Sequence, residues 1–283
     1  MALPSYAGPA ERAWYYGFRV LCGLIFLFLI APILVIVPLS FNAEPYFTYT
    51  DEMLRLDPDG YSTRWYDALL GSEEWRRSIG NSFIYATFSA LIATALGTLA
   101  ALGLNRKEMP ARGLITAILI SPMIVPLVIT GAALFSVFAR IGLSNTYIGV
   151  ILSHVVLGTP FVVITVTASL AGFDQSLIRA AQSLGADQRV TFFRVILPLL
   201  LPGVISGALF AFITSLDEVV IVYFMTGAEL EPMTVRMFSG LREEINPTIL
   251  ALASILVVIS IVLLVTMESL RRRSERIRGV TPG

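Results

Sequence analysis

Six stretches of apolar residues dominate the pattern of the chain, and polar loops of unequal length separate them. A helix needs about 20 residues to cross a hydrocarbon core of about 30 Å, and each stretch reaches that length. The predicted spans are residues 20–39, 82–104, 114–139, 147–170, 195–224 and 249–267. The pattern therefore predicts an all-α membrane protein with six transmembrane helices.

Composition agrees with lipid as the surrounding solvent. The 283 residues are 56% hydrophobic and 14% charged, whereas a soluble globular domain carries about 25% charged residues. Lys and Arg together number 20, as do Asp and Glu, so net charge does not indicate nucleic acid as a partner. One His and one Cys are too few for a typical zinc site. Since the sequence also lacks a P-loop, we expect neither a metal nor a catalytic centre in this chain.

The cationic residues predict how the helices are oriented. If the N-terminus is cytoplasmic, thirteen of the twenty Lys and Arg residues lie on the cytoplasmic side, where such residues are in excess in membrane proteins. We therefore expect both termini in the cytoplasm. Five of these Arg residues follow the last span, as is typical of a contact with anionic membrane lipid. The first apolar stretch exceeds the core of a signal peptide, about 7–15 residues, and is interpreted as a retained helix.

Long loops suggest how the chain is divided. Residues 43–79 and 227–246 form acidic outer loops, and residues 171–194 form a polar inner loop. We predict an N-terminal region of residues 1–79, which contains a tail, the first span and an outer loop. A membrane core of residues 80–273 and a cytoplasmic tail of residues 274–283 follow.

The inner loop has the pattern of two short helices around a glycine. The segment SLIRAAQSLGA consists of good helix formers up to Gly185. Asp187 then stands near the start of the next helical segment, where a carboxylate complements the helix dipole. An amphipathic helix pair lying at the membrane surface is the alternative. A polar pair that projects from the membrane indicates a binding partner.

This spacing resembles the EAA loop of binding-protein-dependent ABC importer permeases. Ala180 and Ala181 precede Gly185 by three intervening residues, and the sequence V-x-L-P begins at Val195 after nine more. The resemblance implies that the loop docks on a separate ATPase subunit. It implies a coupling site made of Arg179, Ala180, Ala181, Gly185, Ala186 and Asp187.

One residue of the loop departs from the family pattern. Arg179 occupies the position of the family's leading Glu. Either the partner therefore presents a complementary acidic site, or the Glu is dispensable in this branch of the family.

The resemblance extends from about Trp65 to Arg273. The segments SLDEVVIVYFMTG from Ser215 and EPMTVRMFSGLREEINPTILALASI from Glu231 look like the second permease subunit of spermidine/putrescine importers and its close relatives. This resemblance implies half of a pathway for a small cationic solute, in a bacterial inner membrane. Permeases for γ-aminobutyrate-like or opine-type amino acids share much of this stretch and stay as the alternative.

The resemblance also implies partners. They are a second homologous permease, two ATP-binding subunits that hold ATP and Mg, and an extracytoplasmic solute-binding protein. No cofactor is expected on this chain itself. An ion-coupled secondary transporter would explain the spans but would leave the inner loop without a role.

Two adjacent acids in the fifth predicted span are candidates for the substrate pathway. Charged side chains within a span are costly and usually face a cavity or another charge. On an ideal helix Asp217 would lie roughly 28 Å beyond Pro198, with Glu218 rotated from it by about 100°. Tyr223 and Phe224 would add aromatic faces for cation–π contact with ammonium groups.

Other interpretations of the polar and proline residues stay open. The acids can instead form an ion pair with Arg140 or Arg236, or mark an unwound helix near the outer surface. His154 is interpreted as a hydrogen-bonded residue of the bundle rather than a proton relay. Pro122 and Pro126 are expected to kink the third span.

Overall fold

The computed structural model describes residues 8–106, 108–172, 174, 176–243 and 246–277. The predicted tail from position 278 onward and positions 173 and 175 of the inner loop lie outside these residues. Over the described part of the chain the regular structure is helical, apart from one antiparallel bridge between Asn42 and Tyr61. The α-helices are α1 (Pro9–Leu39), α2 (Asp51–Leu54), α3 (Arg64–Gly71), α4 (Glu73–Leu104), α5 (Arg112–Ile124), α6 (Leu127–Arg140), α7 (Tyr147–Ala171), α8 (Ser176–Ser183), α9 (Gln188–Thr191), α10 (Leu197–Leu216), α11 (Val220–Met225), α12 (Met233–Glu243) and α13 (Thr248–Ile277).

Five helical runs among the described residues are long and apolar enough to cross a membrane. They are α1, α4, α7, the run Gln188–Leu216 that includes α10, and Thr248–Thr266 of α13. The pair α5 and α6 makes a sixth if it counts as one broken span. The structure thus confirms an all-helical chain with five or six of the predicted spans.

The third predicted span is not one kinked helix. α5 ends at Ile124, α6 begins at Leu127, and the two helices are bent by 106°. A residue that precedes proline disfavours the helical conformation, and Val125 before Pro126 is extended with ψ 133°. Pro122, by contrast, lies inside α5. The predicted span over residues 114–139 is therefore broken at Pro126 rather than only kinked there.

The fifth predicted span is also interrupted. α9 continues through a π-helical turn at Phe192–Ile196 into α10, which ends at Leu216. Residues 217–219 then separate α10 from α11. The acids Asp217 and Glu218 therefore do not continue an ideal helix, so the rotation of about 100° expected for an ideal helix does not apply to them. The unwound helix is the alternative that the structure shows.

The chain forms two compact units. The first comprises Met1–Gly71 and Glu243–Ile261, and the second comprises Ser72–Arg242 and Val262–Gly283. Both helix breaks and the predicted coupling loop belong to the second unit.

Residues 43–71 of the first predicted outer loop belong to the first unit, whereas α4 begins at Glu73 in the second unit. The indole N–H of Trp65 donates to the carbonyl of Asn42 at 2.8 Å. The hydroxyls of Ser40, just after α1, and Tyr66 of α3 are 2.7 Å apart. These bonds make the loop a small cap at the end of α1.

The core of the second unit is formed by α4, α7 and α10, which pack through small residues. Val162 of α7 is fully buried, with Gly97 of α4 on one side and Gly207 of α10 on the other. A Cβ atom added to Gly97 would lie 2.6 Å from the Cβ of Val162. Small residues at such contacts let helix backbones approach closely, which favours helix association in lipid.

We expect Gly97→Ala to lower the Tm of the purified chain in detergent. The added methyl group overpacks the contact with Val162, and overpacking costs about 1–3 kcal/mol. Gly103→Ala on the same helix is the matched control, because a Cβ there meets nothing within 4 Å and alanine favours the helix by about 0.5–1 kcal/mol. Equal Tm values for the two variants would contradict the packing described.

Candidate functional site

The two helix breaks of the second unit line one cavity, called here the acidic cavity. Its volume is about 590 Å³. It is bounded by the break between α5 and α6, by α7, and by the break between α10 and α11. The lining residues are Pro122, Met123, Val125, Leu127, Leu157, Phe161, Ile213, Thr214, Asp217, Glu218, Val219 and Val220. The structure thus brings both candidate acids to the wall of the same cavity.

The two adjacent acids differ in exposure and in hydrogen bonding. Asp217 ends α10, and its side chain is exposed. Glu218 is only 6% exposed, and its carboxyl oxygens accept hydrogen bonds from the N–H groups of Ile221 at 2.9 Å and Val222 at 3.0 Å. Amides in the first turn of a helix have no partner within the helix, so Glu218 caps α11. Asp217 carries the exposed carboxylate.

His154 and Thr234 hold the same break from two other helices. Nδ1 of the buried His154 lies 2.5 Å from the hydroxyl of Ser215 in α10, and Nε2 lies 3.9 Å from Oε2 of Glu218. The hydroxyl of Thr234, in α12, donates to the backbone carbonyl of Glu218 at 3.0 Å. The structure therefore shows His154 as a hydrogen-bonded residue of the bundle.

The two predicted aromatic residues are not among the described residues that line the acidic cavity. Phe224 packs on α6, where a Cβ added to Gly131 would lie 2.9 Å from its ring. Tyr223 is 57% exposed. The aromatic ring in the cavity wall belongs to Phe161, which stacks on Phe210 with centroids 6.0 Å apart.

Sequence reasoning missed Phe161. The residue lies seven positions after His154 in α7, a spacing that places both on one helix face. That spacing was the available signal. The break between α5 and α6, which completes the cavity wall beside this face, was not predicted.

Arg236 is not the counterion of the two acids. Its guanidinium pairs with the carboxylate of Glu74 and lies 3.6 Å from Oε2 of Glu231. It also lies over the ring of Trp75, 5.2 Å from the centroid. The alternative in which Arg236 neutralises the acids of the fifth span is therefore wrong.

Polar side chains of α4 fix the segment that joins α11 to α12. The amide of Asn81 donates to the carbonyls of Glu229 at 3.1 Å and Glu231 at 3.2 Å. The hydroxyl of Tyr85 donates to the carbonyl of Leu230 at 2.9 Å. This connection thus has a defined position against α4, beside the break that Glu218 caps.

The predicted helix–glycine–helix segment lies between α7 and α10. α8 ends shortly before Gly185, whose φ is +82°. The N–H of Ala186 donates to the carbonyl of Ala181 at 3.0 Å, and the N–H of Gly185 donates to that of Gln182 at 2.9 Å. This pair of bonds closes a helix C-terminus through a left-handed residue, usually glycine.

The other side of this turn is capped as well. The carboxylate of Asp187 accepts a hydrogen bond from the N–H of Val190 at 2.7 Å and so begins α9. Arg179 and Ala180 are exposed on α8, and Leu184 at the tip is 89% exposed. All six predicted coupling residues therefore lie in or beside one turn that is capped on both sides.

Asp174 stabilises the start of α8. Its carboxylate accepts hydrogen bonds from the hydroxyl of Ser176 at 2.6 Å and from the N–H of the same residue at 2.8 Å. These bonds, and more weakly the charge of Arg179, lower the pKa of the Asp174 carboxyl below its ordinary value. Asp174 is therefore ionised at neutral pH, where it complements the N-terminal end of the helix dipole.

The sequence also matches the model of a known protein family. Residues 93–276 match the family model of the binding-protein-dependent transport system inner membrane component. This chain belongs to that family. It is therefore an inner membrane permease of a transport system.

Similar permeases align with this chain over most of its length. It is 32% identical over 252 residues to the spermidine/putrescine transport system permease protein PotC of Haemophilus influenzae, covering 89% of this chain and 95% of that protein. It is 34% identical over 239 residues to the putrescine transport system permease protein PotI of Escherichia coli, covering 82% of each. Its fold is similar to a chain in the crystal structure of a bacterial ABC transporter that imports the acidic polysaccharide alginate. That similarity has a TM-score of 0.74 at 16% identity and covers 94% of this chain and 99% of that chain.

In this permease we expect Glu218→Ala to be much more destabilising than Asp217→Ala. Removal of the Glu218 carboxyl group leaves two buried N–H groups of α11 without their acceptor, at about 1–3 kcal/mol for each buried unsatisfied donor. Asp217→Ala is the matched control, since an exposed substitution stays within about 0.5 kcal/mol. Thermal unfolding of the detergent-solubilised permease measures both, and equal losses would contradict the capping role.

Proposed function

We propose that this permease forms half of the membrane pathway of an ATP-driven importer, and that polyamines such as spermidine and putrescine are its solutes. The observation that carries the proposal is the acidic cavity, in which the exposed carboxylate of Asp217 and the ring of Phe161 line a space between two helix breaks. The printed names of the two relatives, a spermidine/putrescine permease and a putrescine permease, support the same solute class.

The cavity supplies the groups that a flexible alkylammonium ion needs. Asp217 provides a negative charge for the ammonium group. Phe161 provides an aromatic face, whose cation–π attraction is about 0.5–2 kcal/mol, larger when the cation is desolvated. The remaining wall is mostly apolar and suits the methylene segments. Tyr223 and Phe224 of α11 are proposed to contact the solute outside the cavity.

An amino-acid solute fits this cavity less well. Its carboxylate would need a cationic partner, and no Lys or Arg is among the described residues that line the acidic cavity. The γ-aminobutyrate-like and opine-type alternatives would therefore place a carboxylate beside Asp217 without compensation.

The doubly capped turn between α8 and α9 is proposed as the docking surface for an ATPase subunit, with ATP and Mg bound by that partner. The residues assigned to this surface are Arg179, Ala180, Ala181, Gly185, Ala186 and Asp187. Its exposure and the continuous helical run from α9 to α10 support the assignment, because one end of that run is the turn and the other end is Asp217. Since Arg179 is cationic, the matching site on the ATPase is proposed to be acidic.

The proposal includes the further partners and the orientation. A second homologous permease completes the pathway, two ATPase subunits bind inside, and a solute-binding protein docks outside. The termini and the docking turn face the cytoplasm in this arrangement, which agrees with the excess of Lys and Arg on that side.

We expect Asp217→Asn to reduce solute import while ATP hydrolysis remains stimulated by the loaded binding protein. The substitution removes the charge that meets the ammonium group but leaves the docking turn unchanged. Proteoliposomes that contain the assembled importer measure both rates, with putrescine, spermidine, γ-aminobutyrate and a neutral amino acid as solutes. Unaltered import of the cationic solutes would contradict the pathway role of Asp217. Stimulation by neutral or anionic solutes alone would contradict the polyamine assignment.

We expect Gly185→Ala to weaken the stimulation of ATP hydrolysis by the loaded binding protein. A non-glycine residue in the left-handed conformation costs about 1–2 kcal/mol, which would deform the turn. Gly172→Ala is the matched control, because a Cβ at either position meets nothing within 4 Å, whereas φ at Gly172 is −91°. If both variants couple hydrolysis to import as the parent does, the turn does not have the proposed role.

A further inference from the structure

A buried ring nitrogen of His154 lies without a hydrogen-bond partner beside the buried carboxyl group of Glu218. Within the described chain, Nε2 of His154 is one of five buried side-chain atoms that lack such a partner. Oε2 of Glu218 lies 3.9 Å away. Unpaired polar atoms are rare in protein interiors because each costs free energy. The position of this nitrogen therefore needs a physical reason.

The hydroxyl of Ser215 can pair with either tautomer of His154, because a hydroxyl both donates and accepts. This hydroxyl lies 2.5 Å from Nδ1 of His154, so one of the two atoms donates to the other. A proton on Nδ1 would direct the lone pair of Nε2 at Oε2 of Glu218, an oxygen that already accepts the N–H of Val222. A hydrogen bond from Ser215 to Nδ1 instead places the proton on Nε2, where the N–H dipole attracts that oxygen. The second tautomer is favoured, because Oε2 of Glu218 already acts as an acceptor for the N–H of Val222 and therefore attracts an N–H group but repels a lone pair.

Glu218 needs such a restraint because its other contacts are all with one side of the break. Its two oxygens accept the N–H groups of Ile221 and Val222 at the start of α11. Its backbone carbonyl accepts the hydroxyl of Thr234. His154 approaches from α7, which also contributes Phe161 to the acidic cavity. The ring therefore links the capping carboxyl group to the wall of that cavity.

We propose that His154 is a positioning residue for solute import. Its Nε2–H attracts the carboxyl group of Glu218 across 3.9 Å and so helps to keep it at the start of α11, which positions the backbone that presents Asp217 to the acidic cavity. His154 is only 2% exposed and is not among the described lining residues, so it acts through Glu218 rather than by touching the solute. In this proposal the two adjacent acids have separate tasks, Glu218 as the cap of α11 and Asp217 as the solute-binding carboxylate. The proposal rests on the proposed role of Asp217 in solute import.

The sequence contains a single histidine, which permits a spectroscopic test at this site. The assembled importer is labelled with [15N]histidine, and the resonances lost in His154→Gln identify the ring. We expect chemical shifts of the neutral Nε2–H tautomer. We also expect a change in the Nε2 shift in Glu218→Gln and no such change in Asp217→Asn. An Nδ1–H tautomer, or an Nε2 shift that does not respond to Glu218→Gln, would overturn the proposal.

Transport by two His154 variants supplies the functional test. His154→Leu removes both polar atoms, whereas the side-chain amide of His154→Gln retains an N–H donor. We expect a several-fold lower import rate in His154→Leu, with stimulated ATP hydrolysis kept, and a partial return of import in His154→Gln. Parent-like import by His154→Leu, alongside defective import by Asp217→Asn, would overturn the positioning role alone. Parent-like import by Asp217→Asn would overturn the proposed function and this inference with it.

If His154→Leu fails to assemble, the comparison of Glu218→Gln with Asp217→Asn in the [15N] spectrum decides the question. Apart from His154→Gln, which assigns the resonance, that measurement uses only variants that keep the histidine in place. It reports on the contact between the ring and the carboxyl group irrespective of import.

Discussion

A helix can break inside an apolar bundle only where its freed backbone groups find internal partners, since lipid offers none. Glu218 meets this requirement for α11 by accepting two N–H groups of its first turn. These two capping bonds stabilise the break between α10 and α11. The exposure of Asp217 and the shape of the acidic cavity depend on that break. The side chain of Glu218, which the sequence suggests as a solute contact, thus serves as a hydrogen-bond acceptor for the backbone.

At the break between α5 and α6, on the other side of the acidic cavity, the freed backbone groups are satisfied in a different way. Pro126 has no N–H group, so the chain leaves the helix there with one fewer donor to satisfy. Its carbonyl accepts the N–H of Ile129 at 2.9 Å and so begins α6. One break removes a donor and the other supplies an acceptor. Together they open a cavity of about 590 Å³ beside α7.

The amino-acid pattern predicts the elements whose causes are local. Apolar runs of sufficient length predict the spans, and the spacing from Ala180 to Asp187 predicts a turn whose caps are formed within the segment. The break after Leu216 could not be predicted from the local sequence. Nothing in the sequence Asp217–Glu218–Val219–Val220 indicates that the carboxyl group of Glu218 accepts hydrogen bonds from the backbone amides of α11. The assignment of aromatic contacts to Tyr223 and Phe224 assumed a continuous helix. Phe161 enters the cavity wall only after two distant breaks have placed it there.

The break between α10 and α11 separates the hydrogen bonds of two adjacent residues, Asp217 and Glu218, so that each is bonded to a different helix. Asp217 directly follows α10 and is hydrogen-bonded to it, since its N–H donates to the carbonyl of Ile213 at 3.0 Å. Glu218 belongs to α11 through its carboxyl group and to α12 through Thr234. α10 is continuous with α9 and the proposed docking turn over Gln188–Leu216, and it packs closely on α7 at Gly207. If an ATPase subunit displaced the helical run Gln188–Leu216, the backbone between Asp217 and Glu218 would therefore change conformation. Asp217 would turn relative to the acidic cavity while Glu218 stayed with α11. This movement would link the position of the proposed docking turn to the direction of the charge proposed to bind the solute.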